Sequence, residues 1–565
     1  VTFTTPGDKV IYFPMKTGEA TGVEKVIITA TGGGQTSKET VEIDVRNPNP
    51  PSLTFVSKLI EKGQSAEFDY VLDADYEGNW VKTEVSRIPA VDISRRFDFL
   101  YDYNHFCSEQ LTSRALPLLY LSEFKDLDPV EEQRVKTNIT EAINSLYGRQ
   151  LPNGGFAYWA GDGYVNDWIS SYAGAFLVLA KERGYNVSSN VINKWIGYQR
   201  NVAQNWNYNA VIRRYSYSQN DVLQAYRLYS LALAGSPDMG AMNRLKELKD
   251  LSQQARWRLA AAYALSGKQD AANELIFNAS TTVVPYSTNN SSYGSSYRDE
   301  AMILEVLVLL NKMEEAFKQA QKVSKNLSSE RYFTTQTTAY SMVAMGQLAS
   351  KMSGRLDFEW FINGQKQDKV DTRKAVFQKQ LPTKPLSGRV KVENIGDGTL
   401  YYSLSTKTRP MVDTLPAVSE NIKLNVTYTD MDGAEIDETN LLQGTDFYAV
   451  INVSNISGTQ YYSDVALTCI IPSGWEIFNE RLVLSSSKEE DADKNIPLKI
   501  FDNQDIRDDR VLTYFDLSQG VTKEIKIRLQ ASYIGDFVLP AILCEAMYDA
   551  SARARTTAKK VKVKL

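Results

Sequence analysis

Apolar and polar residues alternate along the first stretch of the chain, from Val1 to about Phe97. In "ETVEIDVR", Val41, Ile43 and Val45 fall on one face and Glu42, Asp44 and Arg46 on the other, which predicts a half-buried antiparallel strand. The opening "VTFTTPGDKV" is also strand-like, as if cut from a longer polypeptide. "RNPNPPS" then reads as a linker, because its closely spaced prolines cannot pair inside a sheet.

From about Phe99 to Met352 the period becomes helical. "QNDVLQAYRLYSLALAG" keeps Val222, Leu223, Tyr226, Leu228, Tyr229 and Leu231 at spacings of three and four, with Asn220 or Asp221 to cap it and Gly235 to end it. "QARWRLAAAYALSG" and "DEAMILEVLVLLNK" repeat the pattern, and roughly eleven such segments joined by short turns predict paired antiparallel helices. Several are apolar nearly all round, so both sides need covering. An α/α barrel with inner and outer rings meets that need, and an open solenoid of helical repeats is the alternative the pattern leaves open.

After Ser353 strands return. "FEWFINGQKQDKV" reads as a hairpin turning at Asn363-Gly364, and "VENIGDGTLYYSLS" turns at Gly396-Asp397-Gly398. Pro410 and Pro416 mark a boundary, after which about 150 residues of short strands predict a β-sandwich. Its last strand is "KKVKVKL", with Val561, Val563 and Leu565 inward and the lysines outward. The flanking β pieces, 53–97 and 353–412, are each too short to stand alone, so the helical region looks like an insertion between them.

Composition narrows the function. At 565 residues the chain is too long for one core. It is 43% hydrophobic and 23% charged with a net charge of −5, and it has no Lys/Arg stripe to follow a phosphate backbone, so nucleic acid is not an expected partner. No apolar run reaches the roughly 18 residues of a membrane span. Sequons such as those at Asn138 and Asn452 are what chance gives in an Asn- and Ser-rich chain. Three cysteines and one histidine make neither a disulfide framework nor a His-rich metal site, so no metal or cofactor is expected. Whether Cys469 and Cys544 pair is left open.

The remaining cysteine stands in "NHFCSEQLTSR", residues 104–114, beside the only histidine. Cys107 and Gln110 fall in or just before the first turn of an apolar helix, where side chains three apart have Cβ atoms within about 5–6 Å. A thiolate there is placed to attack the Gln110 side-chain carbonyl, expel ammonia and leave an internal thioester. The helix N-terminus is expected to favour the thiolate.

"CSEQ" fits the Cys-x-Glu-Gln thioester motif of the alpha-macroglobulin and complement family, and the sequence most resembles the bacterial alpha-macroglobulins. "LPNGGFAYWAGDGYVNDWISSYAGAFLVLAKERGY" is similar to the family's Gly-Gly-Phe…Trp stretch and the helix after it, and "TTQTTAYSMVAMGQLA" to the closing helix of its thioester domain. The resemblance implies a multidomain chain. Residues 1–50 would end a macroglobulin-like β-domain, 53–97 and 353–412 would form a split CUB-like β-domain, 98–352 an inserted α/α toroid, and 416–565 a macroglobulin-like β-sandwich. Cys107 carries over as thioester sulfur and Gln110 as acyl donor. Glu109 matches the motif's acidic position, for which stabilising the helix dipole is explanation enough.

Two positions depart from the family. Phe106 stands where Gly precedes the Cys, which strains the backbone if φ is positive there, and Leu111 replaces the usual Thr. A native thioester must be kept from water. The candidates to shield it are Tyr103, Phe106 and Trp159, with Tyr101, Phe156 and Tyr158, although ordinary core packing is the plainer account of each. Complement members pass the acyl group through a distant His, and this chain has none after Cys107. Direct attack by amines is therefore expected, with His105 either a surface loop residue or a local substitute.

By resemblance the intact protein is not an enzyme but a broad-spectrum protease trap. A protease cuts a bait region upstream of this chain, the domains rearrange, and the exposed thioester captures a protease lysine. Its partners would be proteases and the upstream bait and macroglobulin-like domains. It would be a monomeric defence protein of the periplasm or cell surface, anchored by a lipid. Two other readings are an opsonin-like or adhesive surface protein using the same thioester, and an α/α-toroid enzyme acting on polysaccharide. The second needs paired carboxylates, for which Asp162, Asp167 and Asp221 are candidates, although solvated loop positions explain them equally.

Overall fold

The computed structural model describes residues 2–565 except 3–10, 12, 19–20, 74–77, 104, 208–219, 287–291, 330–332, 353, 411 and 480–500. The strand-like opening of the sequence and Asn104 fall wholly or largely among those exceptions.

Two strands, β1 (Gly22–Gly32) and β2 (Gln35–Val45), pair antiparallel with Val26 opposite Val41. The expected burial of the Val41–Ile43 face is not observed: they are 42% and 36% exposed. A two-stranded hairpin supplies no second layer against which to bury a face.

The next strands are β3 (Ser52–Ile60), β4 (Ser65–Val71) and β5 (Trp80–Ser86). They share sheets with β6 (Leu356–Ile362), β7 (Gln365–Lys366), β8 (Val370–Thr372), β9 (Val376–Leu381), β10 (Ser387–Asn394) and β11 (Leu400–Thr408). β11 lies between β3 and β5, and β10 between β4 and β6. Ile60, Tyr70, Val81 and Val85 thus share one core with Phe358, Trp360, Val390 and Tyr402. Neither segment buries its apolar face without the other. The turn at Asn363 (φ 49°) and Gly364 (φ 81°) joins β6 to β7, as the Asn-Gly pair predicts.

Between these pieces run thirteen described α-helices: α1 (Ile93–Asp102), α2 (Ser108–Ala115), α3 (Leu121–Phe124), α4 (Pro129–Tyr147), α5 (Asp167–Glu182), α6 (Ser189–Asn205), α7 (Asn220–Leu233), α8 (Met239–Lys246), α9 (Gln253–Leu265), α10 (Gln269–Ile276), α11 (Ser296–Leu309), α12 (Met313–Leu327) and α13 (Thr335–Lys351). The excess over the expected number lies in elements such as α3, whose four residues are too few to show a helical period. Helix α7 stops just before Gly235, at φ 67°. Helices α5, α9, α11 and α13 are buried on nearly every face. The contacts run in a cycle, α2–α5–α7–α9–α11–α13 and back to α2, so the row of helices closes on itself. The amphipathic α4, α6, α8, α10 and α12 lie against this ring and turn their polar faces to solvent.

The C-terminal strands are β12 (Val418–Glu420), β13 (Ile422–Thr429), β14 (Asn440–Leu442), β15 (Asp446–Asn455), β16 (Tyr462–Ile470), β17 (Trp475–Ile477), β18 (Asn503–Ile506), β19 (Arg510–Leu517), β20 (Thr522–Ala531), β21 (Gly535–Leu539), β22 (Leu543–Ala546), β23 (Asp549–Arg555) and β24 (Lys559–Lys564). They build sheets β12-β23-β22-β16-β19-β18 and β13-β15-β20-β17, with β14-β24-β21 alongside. Phe447, Ile451, Leu467, Trp475, Phe515 and Ile527 fill the core between them. In β24, Val561 and Val563 point inward as expected, but Leu565 is 83% exposed because the strand ends at Lys564. Cys469 and Cys544 are unbonded and buried in this core. Cys544 sits opposite Leu467, two residues short of Cys469, and a diagonal offset in a ladder is about 7–8 Å, too far for a disulfide without movement.

Candidate functional site

The site is built at the start of α2. Phe106 adopts φ 58°, the left-handed region a β-carbon disfavours, which lets the chain enter the helix abruptly. Arg149 Nη2 donates to the Phe106 carbonyl at 2.7 Å, and the Arg507 guanidinium lies 5.6 Å from the Phe106 ring. Cys107, with φ −68° and ψ 166°, is then the N-cap, and Gln110 is at the third helical position. The Gln110 side-chain oxygen accepts from the Cys107 backbone N–H at 3.4 Å, while the Cys107 side chain faces the Gln110 backbone N–H. This is a capping box with a thiol in place of the usual hydroxyl. It folds the amide carbonyl of Gln110 back over the residue that bears the sulfur.

The pair is sealed from water: Cys107 is 0% and Gln110 3% exposed. Burial, and after it the neighbouring Glu109, pushes the Cys107 thiol up to about 12. The expectation that the helix N-terminus favours the thiolate is corrected here. A first-turn dipole is worth at most about 2 kcal/mol, and desolvation outweighs it. Glu109 also does more than face a helix dipole. It is wholly buried and accepts hydrogen bonds from Ser113 Oγ, Thr335 Oγ1 (2.8 Å) and Tyr548 Oη (3.2 Å), joining α2, α13 and the C-terminal sheets. Burial raises its pKa, and these hydroxyls oppose that only in part.

The cover over the sulfur comes from the far end of the chain. The tight turn between β22 and β23 carries Met547 and Tyr548. Tyr548 Oη lies 3.7 Å from Cys107 Sγ and 2.7 Å from Tyr158 Oη, and Gln110 Nε2 approaches Met547 Sδ at 3.1 Å. Tyr158 is joined to the sulfur through the Tyr548 hydroxyl. It is held there because Ser108 donates twice to its loop, N–H to the Tyr158 carbonyl (2.9 Å) and Oγ to the Ala157 carbonyl (2.7 Å). The preceding Gly154-Gly155 pair lets this loop press on α6. A β-carbon on Gly154 would lie 2.2 Å from the Lys194 carbonyl oxygen.

The other candidates are sorted by the same geometry. Trp159 lies one ring further out, 4.8 Å from the Tyr514 ring, and shields the contact between helices and C-terminal sheet rather than the sulfur itself. Tyr103 caps the end of α1 and hydrogen-bonds to Glu545 on β22. Tyr101 is not at the site: the Arg114 and Arg134 guanidinium groups pack over its ring. Phe156 is a fully buried core residue. His105 is a half-buried loop residue. Its Nδ1 is 2.8 Å from Tyr514 Oη, its ring is edge-on to Tyr103 and Tyr514, and burial together with Arg507 lowers its pKa to about 4.

Of the acids considered for glycan chemistry only Asp221 is buried, while Asp162 lies in a loop and Asp167 is exposed at the start of α5. Asp221 is 1% exposed and accepts from the Ser252 and Val222 N–H groups, which absorbs the capping expectation for α7, while the Asn220 side chain lies outside the description. Asp167 opens α5 and pairs with Arg227 at 3.1 Å, and Asp162 accepts from the Trp159 N–H. No two of them are brought together as an acid–base pair. Among the described residues no group of His, Cys, Asp and Glu is arranged to hold a metal ion.

Sequence reasoning missed Met547, Tyr548 and Thr335. One signal was present: "EAMYDA" places two bulky residues in a hairpin turn, where small polar residues are the rule and burial against another domain is the alternative.

Residues 422–550 match the family described as bacterial alpha-2-macroglobulin MG10 domain. An alpha-2-macroglobulin homolog of Yersinia pestis is 21% identical over 98% of this chain and 29% of its own length. The alpha-2-macroglobulin of Escherichia coli K12 is 24% identical over 83% of this chain and 29% of its own. The chain therefore spans under a third of the length of these relatives. In structure it is similar to native E. coli alpha-2-macroglobulin from domain MG7 to the C-terminus, with TM-score 0.77, 20% identity, and 96% and 88% of the two chains covered. It is also similar to Salmonella alpha-2-macroglobulin reacted with methylamine, with TM-score 0.79, 19% identity, and 96% and 36% covered. The chain is thus a homologue of the C-terminal portion of bacterial alpha-2-macroglobulins, with residues 422–550 matching that family's MG10 domain.

Proposed function

We propose that Cys107 and Gln110 form an internal thioester and that this chain is the capturing end of a protease trap. The observation that carries the reading is the capping box at α2. It brings sulfur and side-chain amide together within one turn, and places both under a cover supplied by another part of the chain. A thioester hydrolyses unless it is kept dry. Burial of Cys107 beneath Met547 and Tyr548 keeps it dry only while the C-terminal sheets stay docked. Undocking them exposes an acyl group to any nearby amine, which is what covalent capture of a protease lysine requires. The Salmonella relative's reaction with methylamine supports amines as the nucleophile.

In this reading the closed cycle of helices is an α/α toroid, residues 98–352. The interleaved sheets around it are a CUB-like domain made of 53–97 and 353–412. Residues 1–50 end one macroglobulin-like domain and 416–565 form another. The bait region and further macroglobulin-like domains lie upstream in the intact protein, which acts from the periplasm or cell surface on a lipid anchor. The test is incubation of the full-length protein with a serine protease, followed by denaturing electrophoresis and peptide mapping. The expected result is an adduct joining Gln110 to a protease lysine, abolished by Cys107→Ala. An adduct that survives Cys107→Ala, or trapping without any covalent bond, overturns the thioester role.

A further inference from the structure

Cys107 is held from both sides by one piece of the helical region. On one side Arg149, just past the end of α4, donates through Nη2 to the Phe106 carbonyl at 2.7 Å. On the other, Ser108 Oγ donates to the Ala157 carbonyl at 2.7 Å. The two anchors are themselves joined, because the Ala157 N–H donates to the Arg149 carbonyl at 3.0 Å and Gln150 pairs with Phe156. The circuit of Phe106, Arg149, Ala157 and Ser108 therefore closes around Cys107. None of its members belongs to the C-terminal sheets, so undocking them leaves it whole. Arg149 is 9% exposed, and its Nε and Nη1 are buried with no hydrogen-bond partner among the described residues. Leaving two donors of a charged group unpaired in a dry place destabilises a fold, so packing does not explain this residue. Its side chain reaches instead the carbonyl of Phe106, the residue held at φ 58°.

We propose that Arg149 is a positioning residue for thioester formation: by holding Phe106 in the left-handed conformation, it presents Cys107 as the N-cap that meets the Gln110 side chain. The inference rests on the thioester reading above. A residue with a β-carbon disfavours that conformation about tenfold, whereas glycine enters it freely. At Phe106 the hydrogen bond from a charged donor offsets this preference. The left-handed residue turns the chain so that the Cys107 N–H meets Gln110 Oε1 at 3.4 Å and the Cys107 side chain faces the Gln110 backbone N–H. In the step so prepared, the Cys107 sulfur bonds to Gln110 Cδ and the Cδ–Nε2 bond breaks. The nitrogen takes up the thiol's proton and leaves as ammonia. Arg149 exchanges no proton in this step. It acts through Phe106, by fixing where the sulfur stands when the amide carbonyl arrives.

The experiment uses the full-length protein and reads the fraction of chains that carry the thioester, as ammonia lost from the intact mass and as Cys107 thiol released by methylamine. Arg149→Met keeps an unbranched side chain and removes the guanidinium, and the thioester fraction is expected to fall about tenfold. Adding Phe106→Gly to Arg149→Met is expected to bring the fraction back, because glycine holds the left-handed conformation without the hydrogen bond. A residue that merely stabilised the fold would not be rescued from that position. An Arg149→Met protein with the wild-type fraction overturns the inference, and so does a double variant no better than Arg149→Met alone. If Arg149→Met does not fold, the double variant decides. A folded double variant that carries the thioester supports the proposal, and one that is unfolded or lacks it overturns the proposal. A wild type that never carries the thioester overturns the thioester reading and this inference with it, whereas every other outcome leaves that reading standing.

Discussion

The Glu109–Tyr548 hydrogen bond ties the reactive helix to the C-terminal cover, and its strength sets how firmly the site is shut. Glu109 has no exposed surface, and it accepts hydrogen bonds from the hydroxyls of Ser113, Thr335 and Tyr548. Tyr548→Phe removes the donor at 3.2 Å and leaves Tyr158 Oη without its 2.7 Å partner. Losing one partner of a buried polar pair costs about 1–3 kcal/mol. Glu109→Gln keeps the shape but replaces a carboxylate that only accepts by an amide that carries its own donors, at a similar cost of about 1–3 kcal/mol. Because both substitutions break the same bond, the double variant should lose less than the sum of the two singles. The expected coupling is at least about 1 kcal/mol. Urea unfolding of the four proteins, followed by near-ultraviolet circular dichroism, measures it. Losses that add to within about 0.3 kcal/mol would show that the two residues do not act on one another in solution, and the reasoning would fail.

Gly174→Ala should destabilise the helical region by about 3 kcal/mol or more, because its β-carbon would lie 2.0 Å from the buried Trp195 ring; thermal unfolding that matches wild type would contradict that packing. The docked interface should have opposing pH dependences. His105, lowered to about 4 by burial and Arg507, contributes stability present above the ordinary histidine pKa of 6.5 and lost as pH falls through 4. Asp464, raised to about 7 by burial with Asp516 and Asp502 beside it, contributes stability present below the carboxyl reference of 3.8 and lost as pH rises through 7. Hydrogen exchange across residues 105–111 should therefore quicken at both extremes, and His105→Phe should remove only the acid-side loss. A profile that His105→Phe leaves unchanged would sink that assignment.

What the sequence carried was local. The helical period of "QNDVLQAYRLYSLALAG", the Asn363-Gly364 turn and the three-residue spacing of Cys107 and Gln110 each depend on neighbours a few positions away, and each appears where the pattern places it. The strain anticipated at Phe106 is there as well, at φ 58°, offset by Arg149 on its carbonyl. What the sequence hid depends on distant partners. Tyr548 is 441 positions from Cys107, and Thr335 is 226 from Glu109, so no periodicity links them. His105 is the loop residue it reads as, but nothing near it in sequence announces Tyr514, 409 positions away, which closes on its ring. The same reason reverses the expected ionisation of Cys107. A helix start is visible in sequence, but the desolvation that overrides it comes from a turn near the other end of the chain.

The most direct test of the account is the mass of the Cys107–Gln110 peptide pair in freshly purified native protein, before and after methylamine. The account expects native protein lighter than its sequence by one ammonia and unreactive at Cys107 toward thiol reagents. After treatment it expects one methylamine on Gln110 and one free thiol at Cys107, with neither change in Cys107→Ala. Full sequence mass, an unmodified Gln110 amide and no methylamine uptake in the native protein would contradict it.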